Sequence, residues 1–157
     1  MIELIGVSKT YHKRGYSVTA FKAERLTIAK GEYAAVVGPS GSGKTTLLSI
    51  LGGMLTPDAG EVRLAGASLY QLNVNERAAL RRQQLGFVFQ TFNLLGYLTA
   101  LENVQVPLYL AGHTATESKE IATGLLENIG LGSRLDHRPA ELSIGQQQRV
   151  ALARTLA

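Results

Sequence analysis

The sequence predicts an α/β fold, and two observations lead to that prediction. Tyr33–Val37 is a continuous apolar run that leads directly into a glycine-rich loop, Gly38–Gly43. Such runs are typical of strands covered on both faces, as in a parallel sheet. In the second half of the chain, apolar residues recur at helical spacing instead. We therefore expect one domain over residues 1–157, with a strand-rich core over 1–90 and a helical part over 91–157.

Short apolar or alternating runs, separated by turn residues, predict four further strands in the first half. They are Ile2–Val7, Leu26–Ile28, Glu61–Ala65 and Leu85–Phe89. Lys44–Met54 is predicted to be a helix that ends near the Gly52–Gly53 pair. The polar, arginine-rich segment Asn75–Gln84 is predicted to be a surface helix.

Two helices are predicted in the second half. Thr114 and Glu117 have the spacing of a capping box, and Gly130 would end the helix that follows it. Ser143 would begin a last helix, Ile144–Ala157. The expected buried residues are Ile121, Leu125, Leu126 and Ile129 in the first of these helices, and Val150, Ala151 and Leu156 in the second.

Composition excludes several kinds of site. The chain has no cysteine, which excludes disulfide partners, cysteine zinc sites and thiol catalysis. Its net charge of +4 includes no basic run, so we expect no nucleic-acid partner. The longest apolar-leaning stretch, Leu47–Leu55, is far shorter than the roughly 18 residues of a membrane span, and the N-terminus lacks a signal-peptide pattern. These features predict a soluble, cytoplasmic protein.

The strongest motif is Gly38-Pro39-Ser40-Gly41-Ser42-Gly43-Lys44-Thr45, which matches G-x-x-x-x-G-K-[ST] at every fixed position. Its glycines let successive amides point at phosphate oxygens, and the helix that follows directs its positive dipole end to the same place. Lys44 would neutralise the terminal phosphates, and the Thr45 hydroxyl would hold Mg²⁺. The expected nucleotide-binding residues here are Gly38, Ser40, Gly41, Ser42, Gly43, Lys44, Thr45 and Thr46. The alternative is a glycine-rich turn that binds nothing.

Three further stretches resemble one family. Leu142-Ser143-Ile144-Gly145-Gln146 resembles the signature motif of ABC-transporter ATPases, although Ile144 stands where that family usually has the first of two glycines. Phe87-Val88-Phe89-Gln90 is similar to the family's Q-loop, and Tyr11 stands where the family has an aromatic residue that stacks on adenine. Residues 92–104 are similar to the branch that contains the lipoprotein-releasing and macrolide-export ATPases.

The resemblance implies a P-loop NTPase fold, with a RecA-like core, an antiparallel β arm and a helical ABC subdomain. It implies that the chain binds ATP with Mg²⁺, with Tyr11 against adenine and with Thr45 and Gln90 at the metal ion. In this family the residue at Gln90 also contacts the attacking water and relays the nucleotide state to the membrane subunits.

The resemblance also implies partners. Two chains would pair head to tail, as a homodimer or with a related ATP-binding subunit. Ser143, Gly145 and Gln146 would then contact the γ-phosphate held by the opposite chain. Ile144 would crowd this contact, because its branched side chain stands on a surface that approaches phosphate. Transmembrane permease subunits would hold the dimer at the inner face of the cell membrane and couple ATP hydrolysis to transport.

Each of these residues also has an ordinary structural interpretation. Ser143 by itself would be a helix N-cap, Tyr11 a strand-end aromatic residue and Gln90 a polar residue at the end of a strand. The spacing of the three histidines, His12, His113 and His137, is not that of metal ligands. The arginines of the predicted surface helix, Arg77, Arg81 and Arg82, most simply form a solvated face, with a phosphate or partner contact as the alternative.

The family's catalytic strand, which ends in an Asp followed by a catalytic Glu, would lie after Ala157. Neither Asp58 nor Asp136 replaces these carboxylates, since both are in turn-like segments. We therefore expect a truncated ATPase domain that lacks the C-terminal part of its core, binds nucleotide and hydrolyses almost none. The alternative is a non-catalytic nucleotide-binding or regulatory module. A third alternative is an ABC ATPase that acts on DNA or ribosomes. It would need a coiled-coil insertion or a second cassette, and these 157 residues contain neither.

Overall fold

The secondary-structure elements fall into two successive groups along the chain. A computed structural model describes residues 1–13 and 15–157, which divide into the units Met1–Leu85 and Gly86–Ala157. The first unit contains β1 (Ile2–Lys13), β2 (Tyr16–Ile28), α1 (Lys44–Leu51), β3 (Ala59–Leu64), β4 (Ala67–Ser68) and α2 (Val74–Gln84). The second contains α3 (Ala100–Leu110), α4 (Ala115–Asn128), two short 3₁₀ helices (Gly132–Arg134 and Pro139–Glu141) and α5 (Ile144–Leu156).

The strands form an antiparallel sheet in the order β2-β1-β3-β4. The expected antiparallel arm is thereby confirmed. β1 and β2 form a long hairpin whose register shifts between Lys9 and Thr10. Both strands are longer than the apolar runs Ile2–Val7 and Leu26–Ile28 predict. Their outer residues are mostly exposed and are held by backbone hydrogen bonds, so hydrophobic patterning could not locate their ends.

The core of the first unit lies between α1 and the sheet. Its buried side chains are Leu4, Val7, Leu47, Ile50, Leu51, Val62 and Leu69. Helix α1 begins at Lys44, as predicted, and Gly52 caps its C-terminal end. α2 is confirmed as a surface helix, since none of its residues is buried. Asn73 begins this helix by accepting hydrogen bonds from the backbone amides of Asn75 and Glu76.

Two of the predicted strands do not form. Tyr33–Val37 and Leu85–Phe89 contain no strand, and the side chains of Tyr33 and Val37 are 94% and 86% exposed. An apolar run becomes a strand only when a neighbouring strand hydrogen-bonds with it and other side chains cover its faces. None of the strands in the described residues pairs with either run, so both segments are irregular.

In the second unit α3, α4 and α5 pack on one another. Their shared core contains Ala100, Leu101, Val104, Leu108, Ala122, Leu126, Leu131, Leu142, Val150 and Ala153. The capping box of Thr114 and Glu117 is confirmed, as is the stop at Gly130, whose φ of +71° is in the left-handed region. None of the helices in the described part of the chain has both the length and the apolarity to cross a membrane.

Two predictions of burial in this unit are wrong. Ile121 is 38% exposed and Leu156 is 65% exposed. Helix α4 instead buries Ser118, Ala122 and Leu126, which lie four residues apart on one face. The buried face of α4 is therefore centred on Ala122 rather than on Ile121.

Candidate functional site

The glycine-rich loop passes close to strand β2 before it enters α1. Gly38, Gly41 and Gly43 have φ values of +154°, +80° and +88°, which side chains disfavour. A Cβ atom at Gly43 would collide with the backbone carbonyl oxygen of Ala20 in β2. The glycine at this position is therefore required both by its backbone conformation and by its neighbour.

The Lys44 ammonium lies inside the loop. Its Nζ donates to the carbonyl oxygens of Gly38 and Pro39, each at 2.7 Å, and lies 3.4 Å from the Ser42 Oγ. The ammonium has no carboxylate partner among the described residues. Its positive charge is therefore balanced only by the dipoles of loop carbonyls, which an anion can replace.

The first turn of α1 offers further donors. The first intrahelical amide bond runs from Leu47 N to Gly43 O, so the amides of Lys44, Thr45 and Thr46 have no helical acceptor. No side chain caps this end, and no acidic residue lies in the first turn. The positive end of the helix dipole is thus directed into the loop without a competing negative charge.

Two cavities border the loop. One of about 320 Å³ is lined by Ala20 and residues 40–46, and one of about 280 Å³ is lined by Phe21, Leu47 and residues of the segments 36–39 and 42–44. Neither lining contains an aspartate or glutamate. The residues present thus fit a ligand that carries several phosphate oxygens, and the exposed Thr45 hydroxyl adds an oxygen of the kind that Mg²⁺ prefers.

Tyr11 belongs to the same unit as the loop. It lies opposite Val18 in the hairpin of β1 and β2 and is 47% exposed. Val18 is two residues from Ala20, which lines the larger of the two loop cavities, so they are about 7 Å apart along β2. One strand therefore connects the exposed aromatic ring to the glycine-rich loop.

Asp58 was predicted only as a turn residue, but it fixes the turn before β3 to the hairpin. Its carboxylate accepts from Lys9 Nζ at 2.6 Å and from the Thr10 amide at 2.7 Å. The hydrogen bond from Lys9, followed by that from Thr10, lowers the pKa of Asp58 below its ordinary value. Asp58 thereby anchors the strand segment that immediately precedes Tyr11.

The C-terminal end of α1 is held by residues that sequence reasoning missed. The Tyr70 hydroxyl lies 2.7 Å from the Ile50 carbonyl oxygen and 2.6 Å from that of Leu55, and partial burial raises the pKa of Tyr70 to about 12. Arg81 donates to the carbonyl oxygen of Gly53 at 2.9 Å, and the Arg77 guanidinium lies 5.5 Å from the Tyr70 ring centroid.

The prediction of a wholly solvated arginine face on α2 is therefore wrong for Arg77 and Arg81. Only Arg82 of the three is exposed. These contacts hold one end of α1, and the loop is at its other end.

Gln90 lies in the second unit, in an exposed turn rather than at the end of a strand. Phe92 N donates to Phe89 O at 2.9 Å and closes this turn. Phe92 and Asn93 have φ values of +57° and +49°, and Arg154 of α5 donates to their carbonyl oxygens. Sequence reasoning missed Arg154, since 61 residues separate it from Asn93.

Ser143 is the N-cap of α5. Its Oγ accepts from the Gln146 amide at 3.3 Å, and its own amide donates to Gln146 Oε1 at 2.8 Å. Ile144 is 76% exposed, and a Cβ atom at Gly145 would meet no other atom within 4 Å. The start of α5 is thus an open surface.

His137 Nε2 lies 2.8 Å from Arg134 Nη1, and the described residues contain no cluster of three histidine, aspartate or glutamate side chains that could hold a metal ion.

Comparisons with known proteins give one consistent family. Residues 21–157 match the family described as ABC transporter, a match that begins after Tyr11. The chain is 47% identical to the lipoprotein-releasing system ATP-binding protein LolD of Saccharophagus degradans, over 99% of this chain and 68% of that protein. It is 47% identical to the macrolide export ATP-binding/permease protein MacB of Brucella melitensis, over 99% of this chain but only 24% of that longer protein.

A solved structure is similar over the whole length of the chain. It is the dimeric structure of a post-hydrolysis state of the ATP-binding cassette MJ0796 bound to ADP and Pi, with a TM-score of 0.91 and 42% sequence identity. The alignment covers 100% of this chain and 69% of that one.

Proposed function

The chain belongs to the ABC transporter family as its ATP-binding, energy-coupling part, and on that premise we propose how its residues hold Mg-ATP. The phosphates lie in the loop of residues 38–46. The observation that supports this most directly is the Lys44 ammonium, which has no carboxylate partner among the described residues and is held by the Gly38 and Pro39 carbonyl oxygens. Phosphate oxygens replace one or both of those carbonyls when the nucleotide binds.

The other residues of the loop divide the work by their chemistry. The backbone amides of Lys44, Thr45 and Thr46, which have no helical acceptor, donate to phosphate oxygens, and the Ser40, Ser42 and Thr46 side chains surround them. The Thr45 hydroxyl and the Gln90 side-chain oxygen would hold Mg²⁺, a cation that prefers hard oxygen ligands and would offset the negative charge of the phosphates. Gln90 also orients the attacking water.

Tyr11 stacks on the adenine ring. It is 47% exposed, and β2 links its position to the loop through Val18 and Ala20. Aromatic side chains bind nucleobases by stacking without needing a particular hydrogen-bond pattern.

The N-terminus of α5 contacts the γ-phosphate held by a second chain, in a head-to-tail dimer. The open surface around Ser143, Ile144 and Gly145 supports this, as does the dimeric form of the related MJ0796 cassette. Ser143 can cap its helix and bind an anion together, because Oγ accepts from the Gln146 amide while its own O–H remains a donor. Gln146 contributes to this site by holding Ser143 in place through the two hydrogen bonds of the cap.

In the cell, membrane-embedded permease subunits bind the chain at the inner face of the membrane and use its nucleotide cycle for transport. A polypeptide of these 157 residues, studied alone, binds nucleotide but turns it over very slowly. The lack of any carboxylate in the linings of the two loop cavities supports this, since a water-activating base is needed there.

Calorimetric titration with Mg-ATP tests the site. Lys44→Ala should weaken binding by roughly tenfold to a hundredfold, since a charge-assisted contact to phosphate is lost. Lys30→Ala, which removes an exposed charge of the same sign in the same unit, is the matched control and should bind like the wild type. Equal affinity of the Lys44→Ala variant and the wild type would place the nucleotide elsewhere.

A further inference from the structure

The turn that carries Gln90 is hydrogen-bonded to the C-terminal end of α5, and Ser143 lies at the N-terminal end of the same helix. We propose that Arg154 is a positioning residue that fixes the Gln90 turn to this helix. The proposal rests on the roles proposed above for Gln90 and Ser143.

Arg154 holds the turn through two hydrogen bonds. Arg154 Nη1 donates to the carbonyl oxygen of Asn93 and Nη2 to that of Phe92, both at 2.7 Å. The guanidinium is half-buried, and this burial lowers the pKa of Arg154. None of the ion pairs in the described residues involves Arg154. A partly desolvated guanidinium that donates to two backbone carbonyl oxygens holds that stretch of backbone in place.

The two residues held in this way are strained. Phe92 and Asn93 are consecutive left-handed residues that both carry a side chain. Such a conformation is disfavoured and persists only where the surrounding structure imposes it. Within the turn itself the conformation is supported by short hydrogen bonds from Phe92 N to Phe89 O, from Asn93 N to Thr91 O and between the Thr91 and Asn93 side chains.

A second contact from α5 holds the other side of the turn. Thr155 Oγ1 lies 3.0 Å from the Phe87 carbonyl oxygen and 2.8 Å from that of Ala151, and a Cβ atom at Gly86 would collide with the Thr155 methyl group. Backbone before and after Gln90 is thus held by two successive residues of one helix, while the Gln90 side chain remains exposed.

α5 is 13 residues long, or about 20 Å, and joins Ser143 at one end to Arg154 at the other. Secondary-structure elements can carry coupling as rigid units, so a displacement of the Ser143 end is expected to move the Gln90 turn. In this arrangement the helix that meets the opposite chain's nucleotide also sets the position of the residue that meets the chain's own metal ion.

Backbone order measured by ¹⁵N relaxation in the purified chain tests whether Arg154 holds the Gln90 turn. In Arg154→Met the order parameters of residues 90–93 should fall from about 0.85 to below about 0.6, while those in the middle of α3 and α5 remain unchanged. Arg154→Lys keeps the positive charge but replaces the fixed planar guanidinium with a flexible ammonium, and should give intermediate values. The matched control is Arg149→Met, which loses a 2.7 Å bond from the same helix to the Ile129 carbonyl oxygen and should leave residues 90–93 ordered.

The functional arm compares ATP affinity with and without Mg²⁺. Gln90→Ala and Arg154→Met should both lose roughly tenfold of the Mg²⁺-dependent gain, while the affinity without metal and the behaviour of Arg149→Met remain those of the wild type. If Gln90→Ala has no effect, the proposed role of Gln90 fails. The relaxation data alone then decide whether Arg154 holds the turn. Wild-type order at 90–93 in Arg154→Lys and Arg154→Met, or an equal loss of order throughout the unit, would overturn the proposal.

Discussion

The side chain of Asn103 bonds to both backbone groups of Leu95. Its Oδ1 accepts from the Leu95 amide at 2.8 Å, and its Nδ2 lies 3.1 Å from the Leu95 carbonyl oxygen. The same Nδ2 lies within 3.2 Å of the carbonyl oxygens of Leu98 and Thr99. One buried amide thus holds the backbone of three residues in the loop that leads into α3, Leu95, Leu98 and Thr99.

We expect Asn103→Ala to lower the free energy of unfolding by about 2–4 kcal/mol, because buried backbone groups lose their partner and a cavity remains. Urea unfolding followed by circular dichroism measures this loss. Asn128→Ala, at an exposed position at the end of α4, should change stability by less than about 0.5 kcal/mol. Equal stabilities of the two variants would contradict the role assigned to Asn103.

Ser118 presents the opposite case, since its Oγ is buried with no hydrogen-bond partner in the described structure. We expect Ser118→Ala to raise the free energy of unfolding by about 1–2 kcal/mol, as it removes an unsatisfied hydroxyl. Thr116→Ala in the exposed first turn of α4 controls for helix propensity and should gain only about 0.5 kcal/mol. A gain at Ser118 no larger than that at Thr116 would argue against the burial penalty.

The pKa of Asp58 is lowered in the folded state, chiefly by the hydrogen bond from Lys9. Its contribution to stability is therefore fully present above the unfolded-state pKa of about 4 and is lost as pH falls through the lower, folded-state value. We expect the melting temperature of Asp58→Asn to lie below that of the wild type at about pH 7 and the two to converge near pH 2. Asp136→Asn serves as an exposed control, and a gap that stays constant with pH would exclude this linkage.

Tyr11 and Tyr16 offer a matched test of base stacking, since both are exposed tyrosines of one hairpin. We expect Tyr11→Ala to weaken ATP binding by roughly fivefold to a hundredfold while the affinity for inorganic triphosphate stays constant. Tyr16→Ala should bind both ligands like the wild type. A loss for triphosphate as large as that for ATP would mean that Tyr11 supports the loop rather than the base.

Phosphate release by the purified 157-residue chain tests its catalytic competence. We expect turnover at least about 100-fold below that of the LolD relative from Saccharophagus degradans assayed in parallel, since no carboxylate lines the loop cavities. Binding of Mg-ATP, measured on the same preparation, shows that the site is intact. Turnover similar to that of the relative would contradict the proposal.

Features that depend on neighbouring residues were predictable from the sequence. The loop and the start of α1 follow from the motif at Gly38–Thr45, the cap of α4 follows from Thr114 and Glu117, and the start of α5 follows from Ser143. Tyr33–Val37 was misjudged because a strand depends on a partner that local sequence does not reveal. Asp58 and Arg154 were missed for a related reason, since their partners lie 48 to 62 residues away.

The close approach of Gly43 to Ala20 has a consequence for how the sequence can vary. At Gly41 a methyl group would meet no atom within 4 Å, so the cost of replacement there is conformational, and Asn or Asp would be the mildest substitutes for folding. At Gly43 the Ala20 carbonyl oxygen excludes any side chain, whatever its backbone preference. A saturation library selected only for folded protein should therefore recover Asn and Asp at position 41, and glycine alone at position 43.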